Sequence, residues 1–317
     1  MKKPMVSIII PVYNGSNYVC EAIDSALAQT YKNVEVIVVN DGSKDDGATE
    51  RICLSYGNKI RYIQKENGGV SSALNMGIKN MKGEYFSWLS HDDTYEIDKI
   101  EKQIRCLNEY EDDICVLLCE SKQIDSNSNE IKNALRKNRF PKCGIYSSEQ
   151  VLENLFLHGA FNGCALLIRK DVFEQGGLFN EKLRYCQDAL MWYKIHLQGY
   201  KLVYSDDICV CNRIHNKQLS RIGLDLFYKD SYEIANEIVP MIIKKTIAKN
   251  RLLYLFVRRQ AIWHCKDAFN LGMQIAAEHN FFSLRQKLML RAVMFYGKIR
   301  PAIRRTYYRI TKGVVTQ

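Results

Sequence analysis

Two adjacent carboxylates, Asp92 and Asp93, follow the apolar run Tyr85–Leu89. Like charges held this close repel one another and raise a pKa unless a cation is present. Mg²⁺ and Mn²⁺ take oxygen ligands and commonly bridge carboxylates to substrate phosphates. The pair therefore either holds a divalent cation or merely caps the following segment, and these two residues alone leave both interpretations open.

Asp41 and the run Asn67-Gly68-Gly69 could serve nucleotide binding. Asp41 could accept hydrogen bonds from a base or ribose, or could simply form an Asp-Gly turn. The two glycines allow close backbone approach, and a helix that begins there could favour a phosphate. The run matches neither the dinucleotide-binding nor the Walker fingerprint, which argues against those folds.

Asp188 and His215 are further candidates for chemistry. Asp188 begins the predicted helix 187–197, where a helix N-terminus stabilises the ionised carboxylate, so it could act as a general base. His215 is either a partner of a metal or phosphate or a structural histidine.

Alternating strands and helices in the first hundred residues would position these side chains. Apolar strands separated by helices imply a parallel sheet covered on both faces, and ligands bind at its carboxyl edge. Three polar loops follow predicted strands, namely Tyr13–Asn17, Asp41–Ser43 and Ser90–Asp93. The predicted strands are Val6–Val12, Val34–Val39, Ile60–Gln64 and Tyr85–Leu89, and the helices are Tyr18–Ala28, Asp45–Tyr56 and Val70–Met81.

The rest of the chain is predicted to change character. Residues 98–110 favour a helix, Ile114–Cys119 and Ala165–Ile168 favour strands, and residues 120–145 are predicted to be irregular around a turn at Asp125–Asn129. From about residue 225 the pattern is mainly helical.

Charge is concentrated in the C-terminal quarter of the 317 residues. Residues 241–317 hold 16 Lys and Arg against 2 Asp and Glu, whereas residues 1–240 carry a net charge of −4. Such a basic, aromatic-rich tail suggests an anionic surface, either lipid or nucleic acid, or else a solvated helical face. No nucleic-acid recognition motif accompanies it. No apolar run approaches the ~18 residues of a membrane span, so we expect any membrane contact to be peripheral.

Eleven cysteines include no CxxC pair and no zinc-finger spacing. An odd count without a signal peptide predicts free thiols in a reducing cytosol.

Six stretches, in order, resemble the family 2 glycosyltransferases with the GT-A fold over roughly residues 4–222. They are VSIIIPVYNG (Val6–Gly15), VEVIVVNDGSKD (Val34–Asp45), ENGGVSSALNMGI (Glu66–Ile78), GEYFSWLSHDD (Gly83–Asp93), GGLFNEKLRYCQD (Gly176–Asp188) and RIHNKQLS (Arg213–Ser220). The resemblance implies an α/β fold with a Rossmann-like, mostly parallel central sheet flanked by helices in a domain of residues 1–222. A mainly helical, basic region would follow at 223–317.

The resemblance also implies roles for particular residues. Asp188 would be the base that deprotonates the acceptor, and Asp92 with His215 would hold Mn²⁺ or Mg²⁺. Asp41 would contact a uracil-type base or ribose, and Asp93 would support Asp92 or touch the donor sugar. The implied donor-nucleotide site comprises Pro11, Val12, Tyr13, Asn14, Asp41, Gly42, Ser43, Asn67, Gly69, Asn75, His91 and Asp93.

Four positions depart from the family's pattern. Ser90 stands where the first Asp of the DxD motif is expected, and His91 occupies its middle position. Leu74 replaces an Arg that would meet the diphosphate, and Gln187 replaces the Glu of a Glu-Asp pair.

The implied function is inverting transfer of a sugar from a nucleoside-diphosphate sugar, with a UDP-linked donor favoured, to a hydroxyl of a glycan or lipid-linked acceptor. This would serve bacterial surface polysaccharide synthesis, in the cytoplasm and at the inner face of the plasma membrane. We expect no nucleic-acid partner, and the C-terminal helices could mediate oligomers.

Two other functions compete. Ser90 and Gln187 motivate a non-catalytic nucleotide-sugar-binding or scaffold protein. A nucleotidyltransferase is disfavoured because Pro11–Ser16 contains no Lys or Arg.

Overall fold

A computed structural model describes residues 3–110, 114–132, 140–215, 218, 224–245 and 248–313, with side chains up to residue 299 except that of Leu224. The chain divides into two compact units, Met1–Leu224 and Asp225–Gln317. The boundary predicted between residues 222 and 223 lies outside the described residues.

Four parallel strands form the first half of a nine-stranded sheet, in the order β3-β2-β1-β4. Every residue of β1 is buried, because helices cover both of its faces. The strands and helices predicted for the first hundred residues are confirmed to within three residues at each end. They are β1 (Val6–Val12), β2 (Val34–Asn40), β3 (Arg61–Gln64), β4 (Tyr85–Trp88), α1 (Val19–Leu27), α2 (Ala48–Ser55) and α3 (Val70–Asn80).

The second half of the sheet is mixed. β8 (Leu166–Arg169) runs antiparallel to both β4 and β6 (Val116–Ile124), whereas β6 is parallel to β9 (Leu202–Arg213). β5 (Thr94–Tyr95) and β7 (Gly144–Tyr146) pair antiparallel with β9. The flanking helices are α4 (Lys99–Asn108), α5 (Ser148–His158), α6 (Asp171–Gly176) and α7 (Gln187–Leu197).

The prediction of irregular structure over 120–145 was wrong at both ends. Residues 120–124 continue β6, because they pair with the second half of β9 from Glu120 opposite Ile208 to Ile124 opposite Arg213. Their polar composition does not predict a strand, because the strand is stabilised by its pairing with β9. β7 occupies the other end, and the turn at Asp125–Asn129 is confirmed by a hydrogen bond from Asp125 N to Asn129 O of 2.8 Å.

The described residues of the second unit form four helices, as the pattern from residue 225 predicted. They are α8 (Leu224–Lys244), α9 (Lys249–Ile262), α10 (Lys266–Glu278) and α11 (Leu284–Gly313). α9 packs against both α10 and α11. No helix within the described ranges is long and apolar enough to cross a membrane.

Candidate active site at the carboxyl edge of the sheet

The loops that follow β1 and β2 are tied to each other at the carboxyl edge of the sheet. Asn14 has a left-handed backbone, with a φ of 49°, and its amide donates to Ser43 Oγ at 2.9 Å. The Asn14 side-chain oxygen accepts from Lys44 N at 2.6 Å, and Gly15 N donates to Thr49 Oγ1 at 3.0 Å. Asn14 and Ser43 thus shape the edge on which a ligand would lie.

Pro11 and Val12 end β1 at this edge and Tyr13 follows them, while their role in a nucleobase pocket stays a prediction. Pro11 and Val12 are buried in the sheet, whereas Tyr13 is 42% exposed. Tyr13 is therefore the member of the three whose ring is presented to solvent.

The Asp41 carboxylate is buried and already bound by groups of the chain. Oδ1 accepts from Lys65 Nζ at 2.7 Å and from Gly68 N at 3.0 Å. Oδ2 accepts from Gly69 N at 2.7 Å and from the Asn67 side-chain amide at 3.2 Å. Asp41 therefore holds the 67–69 loop and places a carboxylate just before the N-terminus of α3, where the sequence suggested a phosphate.

Gly42 and Gly69 allow this close packing. Gly42 has a φ of 69°, and a Cβ there would lie 2.7 Å from Asn67 N. Gly69 has a φ of 88°, and a Cβ there would overlap the guanidinium of Arg184. Both conformations favour glycine, so these residues bring the Asp41 and 67–69 loops together.

Asn75 joins α3 to the segment that leads to α7. Its amide donates to Phe179 O at 2.9 Å and to Glu181 Oε1 at 2.8 Å, and its oxygen accepts from Phe179 N at 2.9 Å. Arg184 adds a second link by donating to Gly68 O at 2.7 Å. A donor contact from Asn75 stays a prediction, whereas its hold on residues 179–181 is plain.

Asp188 lies in the first turn of α7, at partial exposure, and its Oδ1 accepts from Ala189 N at 2.7 Å. The Asn75 contacts connect the segment before Asp188 to α3, and the Arg184 contact connects it to the 67–69 loop. The neighbouring Gln187 is buried, and its Oε1 has no hydrogen-bond partner among the described residues.

Asp92 and His215 meet across the sheet edge although they are 123 residues apart in sequence. Asp92 Oδ2 lies 3.0 Å from His215 Nε2, and the two side chains are 16% and 17% exposed. Within the described residues no three Asp, Glu, His or Cys side chains cluster as a complete metal site. Two protein ligands suit Mg²⁺ or Mn²⁺, because such ions commonly take their remaining ligands from substrate phosphates and water. The residues present therefore fit the implied cation.

Asp93 faces into the protein. Its carboxylate accepts from Arg213 N at 2.9 Å, from the Asn212 amide at 2.8 Å and from Cys164 Sγ at 3.5 Å. Burial, and then the neighbouring charge of Asp92, raise the pKa of Asp93 to about 7. Asp93 therefore binds the end of β9 to the loop that follows β4.

Ser90 and His91 complete that loop. Ser90 N donates to Cys164 Sγ at 3.3 Å, and the Ser90 hydroxyl lies 3.4 Å from the same sulfur. The His91 ring packs against Gly15, where a Cβ would lie 2.5 Å from Cδ2. Burial lowers the pKa of His91, and the Asp92 charge opposes that shift. His91 is thus neutral at pH 7.

Arg213 is the residue at this site that the sequence reasoning overlooked. Its side chain is fully buried, and Nε donates to the Asp92 carbonyl at 2.8 Å. Nη2 pairs with Glu21 at 2.8 Å, Nη1 donates to Ser128 Oγ at 2.9 Å, and the guanidinium lies 4.3 Å from the Tyr18 ring centre. A usable signal was its place at the end of β9, two residues before His215.

A family model described as "Glycosyl transferase family 2" matches residues 7–177, over half of the chain. An uncharacterised glycosyltransferase of Rickettsia typhi is 50% identical over 224 residues, which are 70% of this chain and 68% of that protein. Three further Rickettsia relatives, 48–49% identical, are longer proteins, and the match spans 31–35% of their length.

Two solved structures share the fold. Staphylococcus aureus TarS 1–349 in complex with UDP-GlcNAc has a TM-score of 0.69 at 19% identity and covers 95% of this chain and 92% of its own. The Pyrobaculum calidifontis mannosyltransferase PcManGT, in complex with GDP-Man and Mn²⁺, has a TM-score of 0.54 at 18% identity and covers 99% and 87%. With its mixed sheet, flanking helices and helical C-terminal unit, the chain belongs to glycosyl transferase family 2 and is a glycosyltransferase with the GT-A fold.

Proposed function

We propose that this glycosyltransferase moves a sugar from a nucleoside-diphosphate sugar to a hydroxyl of a glycan or lipid-linked acceptor, with inversion at the anomeric carbon. The observation that carries the proposal is the Asp92–His215 pair, partly exposed at the carboxyl edge where parallel-sheet folds bind their ligands. The TarS complex with UDP-GlcNAc supports a nucleotide-sugar donor, and we favour a UDP-linked one.

The donor's base is proposed to lie beside Tyr13, near the loops that contain Asn14 and Ser43. Tyr13 offers an exposed ring for stacking. Asp41 keeps the 67–69 loop in place through four hydrogen bonds, which fill the roughly four lone-pair sites of its carboxylate, so its proposed part in binding the base or ribose is to position that loop. Asn67 and Gly69 would then contribute through the loop that Asp41 orders.

Asp92 and His215 are proposed to hold the divalent cation. When bound, Mn²⁺ or Mg²⁺ supplies electrostatic stabilisation to the charge that develops on the departing nucleoside diphosphate. Arg213 fixes the main chain of this loop through the Asp92 carbonyl. The Asp93 carboxylate fixes the same loop against β9 through Arg213 N.

Asp188 is proposed as the general base. It would accept the proton of the acceptor hydroxyl as that oxygen forms a bond to the anomeric carbon. The bond from that carbon to the diphosphate oxygen breaks on the opposite side, so the electron pair leaves with the nucleoside diphosphate. One displacement of this kind inverts the configuration. Its place in the first turn of α7 favours the ionised form that a base requires.

The charge of the C-terminal region suggests an acceptor and a cellular location. A basic helical C-terminal region suits an enzyme that works at the inner, cytoplasmic face of the plasma membrane on a lipid-linked acceptor. The relatives quoted come from bacteria and an archaeon, and synthesis of a bacterial surface polysaccharide would need such a transfer.

Incubating the full chain with Mn²⁺ and a panel of UDP- and GDP-sugars tests this function. We expect release of free sugar or transfer from at least one nucleotide-sugar, abolished by EDTA. A non-catalytic binder, which Ser90 and Gln187 motivate, would show saturable nucleotide-sugar binding with no sugar release from any donor. That outcome would overturn the proposed transfer while leaving the family assignment intact.

A further inference from the structure

Helix α11 presents a continuous stripe of exposed apolar side chains. Leu284, Leu288 and Phe295 are 74%, 57% and 64% exposed, and their spacing puts them on one line of the helix. Met289 and Tyr296, 49% and 50% exposed, widen the stripe on one side. Side chains of this size are seldom left in water side by side, so the stripe marks an interaction surface.

The opposite side of α11 is packed within its own unit. Leu290 and Gly297 are buried, and a Cβ at Gly297 would overlap the carbonyl oxygen of Ala261 in α9. His264 Nδ1 lies 3.3 Å from Met294 O on the same side. α9 therefore already covers the inner face of α11, and the apolar stripe points away from α9.

The stripe is bordered by positive charge. Arg291 and Lys298, one heptad apart and both exposed, lie beside the line of Leu284 and Phe295. Arg285 lies within the stripe itself. Helix α11 contains nine Lys and Arg residues and no Asp or Glu over its thirty residues.

Other helices of this unit also carry exposed aromatic side chains. Trp263, at the end of α9, is 40% exposed, and its ring centre is 5.6 Å from that of Phe227. Tyr228 and Tyr232 on α8 are 42% and 41% exposed. Trp and Tyr with one polar end are enriched where a membrane meets water.

We propose that this basic–apolar face, formed by Leu284, Leu288, Arg291, Phe295 and Lys298, docks on an anionic lipid bilayer with α11 lying along the headgroup region. An exposed apolar stripe with a cationic border is what an interfacial helix buries between acyl chains and anionic headgroups. The inference rests on the proposed membrane location but not on the proposed chemistry, so lipid binding and sugar transfer can fail separately.

Two other occupants fit less well. A second copy that packed face to face would bring Arg291 and Lys298 towards the same cations of its partner, with no acidic residue on α11 to offset them. Nucleic acid would neutralise the cations but would leave Leu288 and Phe295 in water, since phosphate contacts need no apolar stripe. A lipid surface satisfies both features at once.

Co-sedimentation of the full chain with vesicles tests the proposal. We expect strong binding to vesicles that contain phosphatidylglycerol and weak binding to pure phosphatidylcholine. Arg291→Gln with Lys298→Gln should weaken binding to the anionic vesicles by about tenfold or more, since each cation near such a surface contributes about 1 kcal/mol. Leu288→Glu with Phe295→Glu should abolish binding to either vesicle.

Leu54→Glu provides the matched control. Leu54 is 56% exposed on α2, in the other unit, and its substitution should leave vesicle binding unchanged. Stabilisation by UDP and Mn²⁺ should be the same in all variants, which shows that the nucleotide site is folded whether or not transfer occurs. Equal binding of wild type and Leu288→Glu/Phe295→Glu would overturn the proposal. A concentration-dependent dimer in solution that those two substitutions dissociate would instead assign the face to a second copy.

Discussion

At the scale of single residues, the acidic side chains of the site divide into two groups. Asp41 and Asp93 are buried, and groups of the chain occupy their carboxylates. Asp92 and Asp188 are partly exposed. Because a reacting or ligating oxygen must reach substrate or metal, we propose that Asp92 and Asp188 perform the chemistry and that Asp41 and Asp93 position the loops.

Asp188→Asn should lower transfer by about 10²–10⁴-fold, the usual contribution of a positioned general base. UDP binding should stay close to that of wild type, because the amide keeps the size of the carboxylate. Transfer and UDP affinity are measured on the same preparation. Asp267→Asn, the same change in the exposed first turn of α10, is the control and should alter neither. Transfer at the wild-type rate in Asp188→Asn would remove Asp188 as the base.

Asp92→Ala and His215→Ala should each weaken Mn²⁺-dependent UDP binding by at least about tenfold, the lower end of the loss seen when even an outer-shell metal partner is removed. Calorimetric titration of UDP with and without Mn²⁺ measures the effect, and the metal-free affinity should barely change. Asp98→Ala, an exposed carboxylate paired with Lys102, is the control. Equal losses with and without metal would contradict the assignment.

At the scale of elements, Arg213 is the link that holds the β4 loop, α1 and the turn at 125–129 together. The sheet positions strand ends only within a few ångströms, whereas a ligand pair needs a fixed loop. The buried guanidinium supplies that constraint by hydrogen bonds to three different segments.

Arg213→Met should therefore destabilise the fold by about 2–3 kcal/mol, since it removes charge-assisted hydrogen bonds from a buried site. Urea unfolding measures the loss, and Mn²⁺-dependent UDP binding should weaken in the same variant. Glu21→Gln tests the partner. The Glu21 side chain is 46% exposed, so its pair with Arg213 is screened and the change should cost under about 1 kcal/mol. Equal costs for the two variants would show that the ion pair, and not the bonds to the main chain, holds the site.

The close contact between α9 and α11 predicts that Gly297→Ala changes the free energy of unfolding in the direction opposite to the usual one. Gly→Ala inside a helix ordinarily stabilises by about 0.5–1 kcal/mol. Gly297→Ala should instead destabilise, because its Cβ would meet the main-chain oxygen of Ala261, which cannot move independently of α9. Gly272→Ala in α10 is the comparison, since its Cβ would meet only a methyl group of Val257. A higher melting temperature for Gly297→Ala would contradict the close helix approach.

At the scale of the whole molecule, two compact units carry different chemistry. The first unit holds the carboxylates and loops of the candidate active site, and the second holds the cationic, partly apolar helix α11. We propose that the nucleotide-sugar binds the first unit and the lipid surface binds the second, so that sugar transfer and membrane attachment are separate functions.

Hydrogen exchange with UDP and Mn²⁺ measures that division. Protection should appear in the loops after β1, β2 and β4 and at residues 212–215, because ligand contacts slow their opening. Residues 249–299 should exchange as they do without ligand. Anionic vesicles should give the reverse pattern, with protection over 284–299. Protection by UDP that is spread over the C-terminal helices would contradict independent roles.

The order of strands and helices, the polar loops after strands, the family and the basic character of the tail can all be predicted from the amino-acid sequence alone. These depend on side-chain periodicity and on residues adjacent in the chain, so one sequence contains them. It also supplied Asp92, His215 and Asp188 by residue type. The prediction of irregular structure for residues 120–124 was wrong, because these polar residues form a strand through pairing with β9.

The packing of the whole chain shows which of these side chains are buried against the protein and which are open to solvent. Asp41 meets the Gly68 and Gly69 amides, Asn75 meets Phe179, and Asp93 meets Arg213 N across 120 positions of sequence. Burial, a property of the packed chain, raises the pKa of Asp93. Packing of one side of α11 within its unit leaves the other side exposed. Contacts between distant residues depend on how the elements pack, and no local pattern encodes that packing.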